Sequence, residues 1–189
     1  IDRGSTFNSK YPKLIIVKIE RIKNYIRNVP DFPKAGIQFK DITTLLQNRE
    51  VFGTTINAFY DAFKDKQIDT VIGIESRGFI FAAPLALKLG AGFVLIRKPG
   101  KLPCETIKVE YALEYGTDAI EIHKDSIKKG DRVLIVDDLL ATGGTAKAAG
   151  ELVKKLKGDI ISFVFLIKLI DLNGEKLISK DKVLSLIAL

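Results

Sequence analysis

The sequence predicts an α/β fold, a mainly parallel central sheet flanked by helices. Three observations carry this. Short, β-branched, almost wholly apolar runs stand at Thr70–Ile74, Gly92–Arg97, Arg132–Val136 and Ile160–Ile167. Helical patterns separate most of them, and the most glycine-rich turn, Thr142–Thr145, falls just beyond a strand end. Strands without polar alternation belong to a sheet covered on both faces, which requires crossover helices.

The elements follow in order. Leu14–Val29 places Leu14, Val17, Ile22 and Ile26 among charges, the pattern of an amphipathic helix, with Pro30 and Pro33 expected to end it. A second helix is expected from Asn48 to Lys66, with Val51, Ile56, Phe59 and Phe63 on one face. The Thr70–Ile74 strand leads through Glu75-Ser76-Arg77-Gly78 into a helical run, Phe79–Leu89, that stops at Gly90. After the Gly92–Arg97 strand, Lys98–Gly116 is polar, carries Gly and Pro, and is too long for a simple connector, so it is expected to be a lid loop. Ala119–His123 alternates weakly, Arg132–Val136 is a strand, Thr145–Lys157 a helix and Ile160–Ile167 a strand. No repeat or linker is evident, so 1–189 reads as one domain.

The totals exclude several classes. With 47 % hydrophobic and 28 % charged residues the chain is globular rather than disordered or fibrous. At 189 residues it can bury a full core without covalent staples. Cys104 stands alone, so no disulfide forms within the chain, and no Cys/His cluster suggests a zinc site. The apolar run Ile160–Ile167 falls far short of the ~20 residues that span a bilayer. Ile1–Pro12 lacks an apolar signal core, so no membrane association and a cytoplasmic location are expected. The net charge of +7 fits nucleic acid, anionic substrates or a plain lysine-rich surface, and does not choose among them.

The most informative segment is Val133–Thr145, a strand ending in Asp137-Asp138 and followed by Ala141-Thr142-Gly143-Gly144-Thr145. Open α/β sheets bind ligands at the carboxyl ends of strands. Two glycines let the backbone approach a ligand, two threonines add hydroxyls, and the next helix offers its positive end, which together make a phosphate cradle. The aspartates would repel phosphate, so they are better matched to ribose hydroxyls or to magnesium. A nucleotide P-loop requires Lys where Thr145 stands, and the dinucleotide G-x-G-x-x-G is absent. A plain strand-end turn capped by Thr145 is the remaining alternative.

Val133–Thr145 resembles the signature of the type I phosphoribosyltransferases, which bind phosphoribosyl pyrophosphate through it. The resemblance assigns the ribose hydroxyls to Asp137 and Asp138 and the 5-phosphate to Ala141, Thr142, Gly143, Gly144 and Thr145. Four further segments resemble the members that act on adenine, and with the signature they cover nearly all of Asp31–Leu172. In Asp31–Thr43, Phe39 would stack on a purine while backbone near Gln38 and Lys40 reads its edge, within a hood of about 12–45; an ordinary core Phe39 is the alternative. In Glu75-Ser76-Arg77-Gly78, a pyrophosphate loop with a strained Glu75–Ser76 peptide, Arg77 would fork onto phosphate oxygens unless it merely pairs with Glu75. Arg97, Lys98 and Lys101 would neutralise the leaving pyrophosphate from a lid of about 98–116, or simply form a solvated charged loop. Glu114 would transfer the proton with Tyr115 beside it, the alternative being a surface glutamate.

The resemblance therefore implies transfer of phosphoribosyl to adenine, giving AMP and pyrophosphate in purine salvage, with Glu114, Tyr115 and Lys101 as catalytic residues. It implies magnesium held mainly by substrate, near Asp137 if by any protein group, and a homodimer in which Arg97 reaches a neighbour's site. Transfer to xanthine or another base, or a nucleic-acid-binding regulator on the same fold, stays open. Lys101, Glu114 and Tyr115, and the lack of a separate helix-turn-helix, weigh for the enzyme. His123 has no Ser or Cys constellation around it.

Overall fold

The computed structural model describes residues 19–112, 116–179 and 182–189. The chain divides into two units, Ile1–Ala58 and Phe59–Leu189, and the division falls inside a helix, which is why no linker composition marks it.

In the first unit, residues 19–23 are helical, and the chain then enters a two-stranded antiparallel sheet, β1 (Arg27–Pro30) with β2 (Gln38–Asp41). The helix expected to reach Val29 thus stops early. Val29 precedes Pro30, whose ring disfavours helical backbone in the residue before it. Arg27 to Pro30 instead pair in register with Asp41 to Gln38. Two helices follow, α1 (Thr43–Gln47) and α2 (Arg49–Phe63). Asn48 Oδ1 accepts the N–H groups of Glu50 and Val51, each at 3.1 Å, and so starts α2 where the sequence expected it.

The second unit holds a five-stranded sheet in the order β4-β3-β7-β8-β9, with every neighbour parallel. Its strands are β3 (Thr70–Ile74), β4 (Gly92–Ile96), β7 (Arg132–Leu140), β8 (Asp159–Lys168) and β9 (Val183–Ala188). The crossover helices are α3 (Arg77–Leu89) and α4 (Gly144–Lys155). All five residues of β3 are buried, as are Val133 to Val136 of β7, so the apolar runs are the core of the fold. Gly90 closes α3 in the left-handed conformation, φ +68°. β9, which the sequence reading did not anticipate, pairs along β8 from Val183 to Ala188.

Part of the expected lid loop is a strand. β5 (Thr106–Ala112) and β6 (Thr117–His123) pair antiparallel from Thr106↔His123 to Ala112↔Thr117. Val109, Ile120 and Ile122 are buried in the same core as β3 and β7, so the hairpin's root belongs to the scaffold. Among the described residues no helix is long and apolar enough to cross a membrane.

Candidate active site

The site assembles at the carboxyl ends of β3 and β7. The buried run of β7 ends in Asp137 and Asp138, and Asp138 is only 4 % exposed. Arg77 at the start of α3 places its Nε 3.0 Å from Asp138 Oδ2, and Asp137 Oδ1 accepts the Asp138 N–H at 2.8 Å. The next residue, Gly78, allows that approach, since a Cβ there would lie 2.6 Å from the Val136 carbonyl oxygen. Loss of hydration, and then the Asp138 charge, push Asp137 well above the usual carboxylate range. Loss of hydration also raises Asp138, with the Arg77 guanidinium opposing it.

Beyond the acids, the chain turns through Ala141-Thr142-Gly143-Gly144-Thr145 into α4. Gly143, φ +87°, is the N-cap, and no side chain caps the helix, so Thr145 does not play the capping part considered for it. The first N–H groups of α4 are therefore left for a ligand or solvent. Gly143 has a second reason to lack a side chain. A Cβ there would meet the Gly174 carbonyl oxygen at 2.3 Å, and one on Gly174 would meet the Ala141 oxygen at 2.1 Å. The phosphate-type turn thus rests against the 3₁₀ segment Gly174–Leu177, a support that no sequence motif signalled.

At the end of β3 the Glu75–Ser76 peptide is cis. The ion pair of Arg77 described above is with Asp138. Glu75 instead accepts from Lys101 Nζ at 2.7 Å, the Lys98 N–H at 2.9 Å and Arg97 Nη2 at 3.2 Å. Burial works against its charge, but these three donors outweigh it and hold Glu75 at about 2. Arg97 Nη1 also donates to the Lys101 carbonyl at 3.1 Å. The Lys98 ammonium contacts Asp118 Oδ2 and, at 3.3 Å, the Tyr111 hydroxyl. Burial opposes that charge too, and the hydrogen bond to Asp118 more than compensates, so Lys98 stays charged above its usual range.

In the first unit, Phe39 is half-exposed and packs edge-on against Phe32 with ring centroids 5.1 Å apart, so it is not an ordinary core phenylalanine. Gln38 Oε1 accepts from Asn28 Nδ2 at 2.7 Å, and Lys40 Nζ donates to Asn28 Oδ1 at 3.0 Å, which orders the three residues expected at a base. Glu114 and Tyr115 lie outside the described residues. Among the described residues no group of three His, Cys, Asp or Glu side chains could hold a metal. His123 Nε2 is buried without a partner in that set, and Cys104 is exposed.

The family model described as phosphoribosyl transferase domain matches residues 41–187. The adenine phosphoribosyltransferase of Halothermothrix orenii is 59 % identical over 161 residues, 85 % of this chain and 95 % of the relative. That of a Cyanothece species is 64 % identical over 155 residues, covering 82 % and 91 %. The chain belongs to the adenine phosphoribosyltransferase family. The crystal structure of the family member from Thermoanaerobacter pseudethanolicus superposes with a TM-score of 0.87 at 51 % identity, covering 90 % of this chain and 99 % of that one. The Saccharomyces cerevisiae member, solved with an imino-altritol bisphosphate and adenine, gives 0.86 at 42 % identity, covering 90 % and 99 %.

Within this adenine phosphoribosyltransferase fold, the second unit brings Arg77 onto Asp138, and Glu75 onto Arg97 and Lys101. The sequence reading missed Asp118, Glu121 and Gly174, and placed Tyr111 in the lid segment without a role. The one signal available was the alternation Ile107, Val109, Tyr111, which marks a strand and so a paired partner for each residue on it.

Proposed function

We propose that this chain transfers the phosphoribosyl group of phosphoribosyl pyrophosphate to adenine, giving AMP and pyrophosphate, as a cytoplasmic step of purine salvage. The observation that carries the reading is the acidic pair Asp137-Asp138 with Arg77 Nε 3.0 Å from Asp138, beside an uncapped helix start at Gly143. Ribose hydroxyls donate to the two carboxylates, and the 5-phosphate takes the N–H groups and hydroxyls of Ala141 to Thr145. Arg77 reaches Asp138 from the start of α3, and the side proposed for pyrophosphate is the one where Arg97, Lys98 and Lys101 gather around Glu75.

In the reaction the bond from the anomeric carbon to pyrophosphate oxygen breaks with the electron pair leaving on pyrophosphate. The purine nitrogen bonds to that carbon, and its proton passes to Glu114, beside Tyr115. Lys101 and Arg97 neutralise the departing charge, and closure of the lid excludes water. Gln38, Phe39 and Lys40 hold the base, Phe39 by stacking. The oxygen donors at Asp137 suit a hard cation that keeps most of its ligands from substrate and water. Magnesium, when bound there, supplies further positive charge against the pyrophosphate oxygens. The working form is a homodimer, which a solution mass of about twice 20.9 kDa checks.

Steady-state assays with adenine, hypoxanthine, guanine and xanthine test the substrate. Adenine is expected to dominate; preference for another base overturns that assignment, and tight, salt-sensitive nucleic-acid binding without turnover points to a regulator. Glu114→Gln is expected to lower kcat about a hundredfold with the phosphoribosyl pyrophosphate KM held. Wild-type turnover in that variant removes Glu114 from proton transfer.

A further inference from the structure

A buried carboxylate outside every motif named so far holds the cation loop from beneath. Glu121, in the middle of β6, is 6 % exposed. Its Oε1 accepts the Gly100 N–H at 3.1 Å and its Oε2 accepts the Thr106 hydroxyl at 3.1 Å. Its backbone pairs with Arg97 in both directions: Arg97 N–H to Glu121 O at 3.0 Å, and Glu121 N–H to Arg97 O at 2.8 Å. One residue therefore grips the start, the middle and the end of the segment from Arg97 to Thr106. Gly100, φ +78°, is in the left-handed conformation that turns its N–H into this grip.

A charge so buried is unfavourable unless its oxygens are saturated, and a strand pairing by itself needs no carboxylate. Both oxygens are used here, and both on this one segment. The segment's other side meets Glu75, which takes Arg97 Nη2 and Lys101 Nζ. Glu75 thus faces the cation heads while Glu121 fixes the backbone that carries them.

We infer that Glu121 is a positioning residue: through Gly100, Thr106 and the Arg97 backbone it sets the loop that aims Arg97 and Lys101 at the leaving pyrophosphate. The inference rests on the function proposed above. Glu121 touches no reacting atom, so its removal is felt in substrate binding on the pyrophosphate side rather than on the base side.

The test compares Glu121→Ala, Glu121→Gln and Thr106→Val by KM for each substrate and by trypsin cleavage after Arg97 and Lys101 in the full chain. Glu121→Ala is expected to raise the phosphoribosyl pyrophosphate KM about tenfold, the worth of a charge-assisted hydrogen bond, while the adenine KM moves less than about twofold. Cleavage after Lys101 should quicken in parallel. Glu121→Gln should recover much of both readings, because its amide oxygen still accepts from Gly100 and its amide nitrogen donates to the Thr106 oxygen, though without the charge. Wild-type cleavage and wild-type KM in Glu121→Ala overturn the inference, as does a Gln variant no better than Ala. Should Glu121→Ala fail to fold, Thr106→Val removes one bond of the two, and unchanged cleavage there overturns it equally. If the wild-type chain makes no AMP from adenine and phosphoribosyl pyrophosphate, the functional reading fails, while the cleavage comparison still judges the grip.

Discussion

Asp137 works against the fold it belongs to. Its carboxyl lies at the end of a buried strand beside a second carboxylate, and lost hydration together with Asp138 raises its proton affinity well above the ordinary value of 3.8. A carboxyl whose affinity rises on folding binds more protons folded than unfolded, so ionising it as pH climbs above about 4 removes stability. Asn keeps the shape and the carbonyl oxygen that accepts the Asp138 N–H, and has no charge to bury. Asp137→Asn is therefore expected to match wild type in Tm near pH 4 and to exceed it by about 3–5 °C at pH 7, with weaker phosphoribosyl pyrophosphate binding. Thermal melts across that pH range, paired with the substrate KM, check it; a Tm gap that fails to widen with pH sinks the account. Glu75 is the opposite case. Held at about 2 by Lys101, the Lys98 N–H and Arg97, it contributes stability at neutral pH that is lost only as pH falls through the range from 4.5 towards 2.

At the scale of the element, the turn after β7 shows what a motif reports and what it conceals. That Ala141-Thr142-Gly143-Gly144-Thr145 is a tight turn between a strand and a helix is legible from its paired glycines after a buried apolar run. The contact of Gly143 with Gly174, thirty-one residues on, was not legible, since nothing local at either glycine records the other. Gly143→Ala combines a left-handed φ of +87° with a Cβ placed 2.3 Å from a carbonyl oxygen, and is expected to destabilise by at least ~2 kcal/mol. Gly53→Ala, inside α2 where a Cβ meets nothing within 4 Å, should instead stabilise by roughly 0.5–1 kcal/mol. Denaturant midpoints of the two variants should move in opposite directions. The missed elements have like causes. β1 is hidden because charges spaced among apolar residues suit a helix of any end point, and only Pro30, which disfavours helical backbone at Val29, argues against it. β5 was hidden because Arg97, Lys98, Pro99, Gly100, Lys101 and Pro103 colour the whole stretch as loop, whereas the alternation begins only at Thr106. β3, β7 and β8 were plain, because a strand buried on both faces leaves an apolar run that few other structures need.

Across the whole second unit, the sheet depends on how its edges are closed. One edge is β4, five residues long, with Gly92 and Phe93 exposed. The other is β9, and it covers β8, whose residues Ser162 to Ile167 are all buried. β9 also buries Ser185, Leu186 and Ile187 of its own, and its continuation ties Leu189 to Lys168 and Ile170 by backbone bonds of 2.9 and 2.8 Å. Deleting Val183–Leu189 would leave β8 as a long, flat, apolar edge with unpaired N–H and carbonyl groups, the arrangement that templates pairing with other chains. β8 separates β9 from β7, which carries Asp137 and Asp138, so a loss of activity alone would say little. The expected outcome is aggregation: the shortened chain should elute in the void volume on size exclusion and yield little soluble protein. A soluble truncation with the wild-type elution volume and Tm would mean that β9 is an accessory, and that the parallel sheet is already complete at β8.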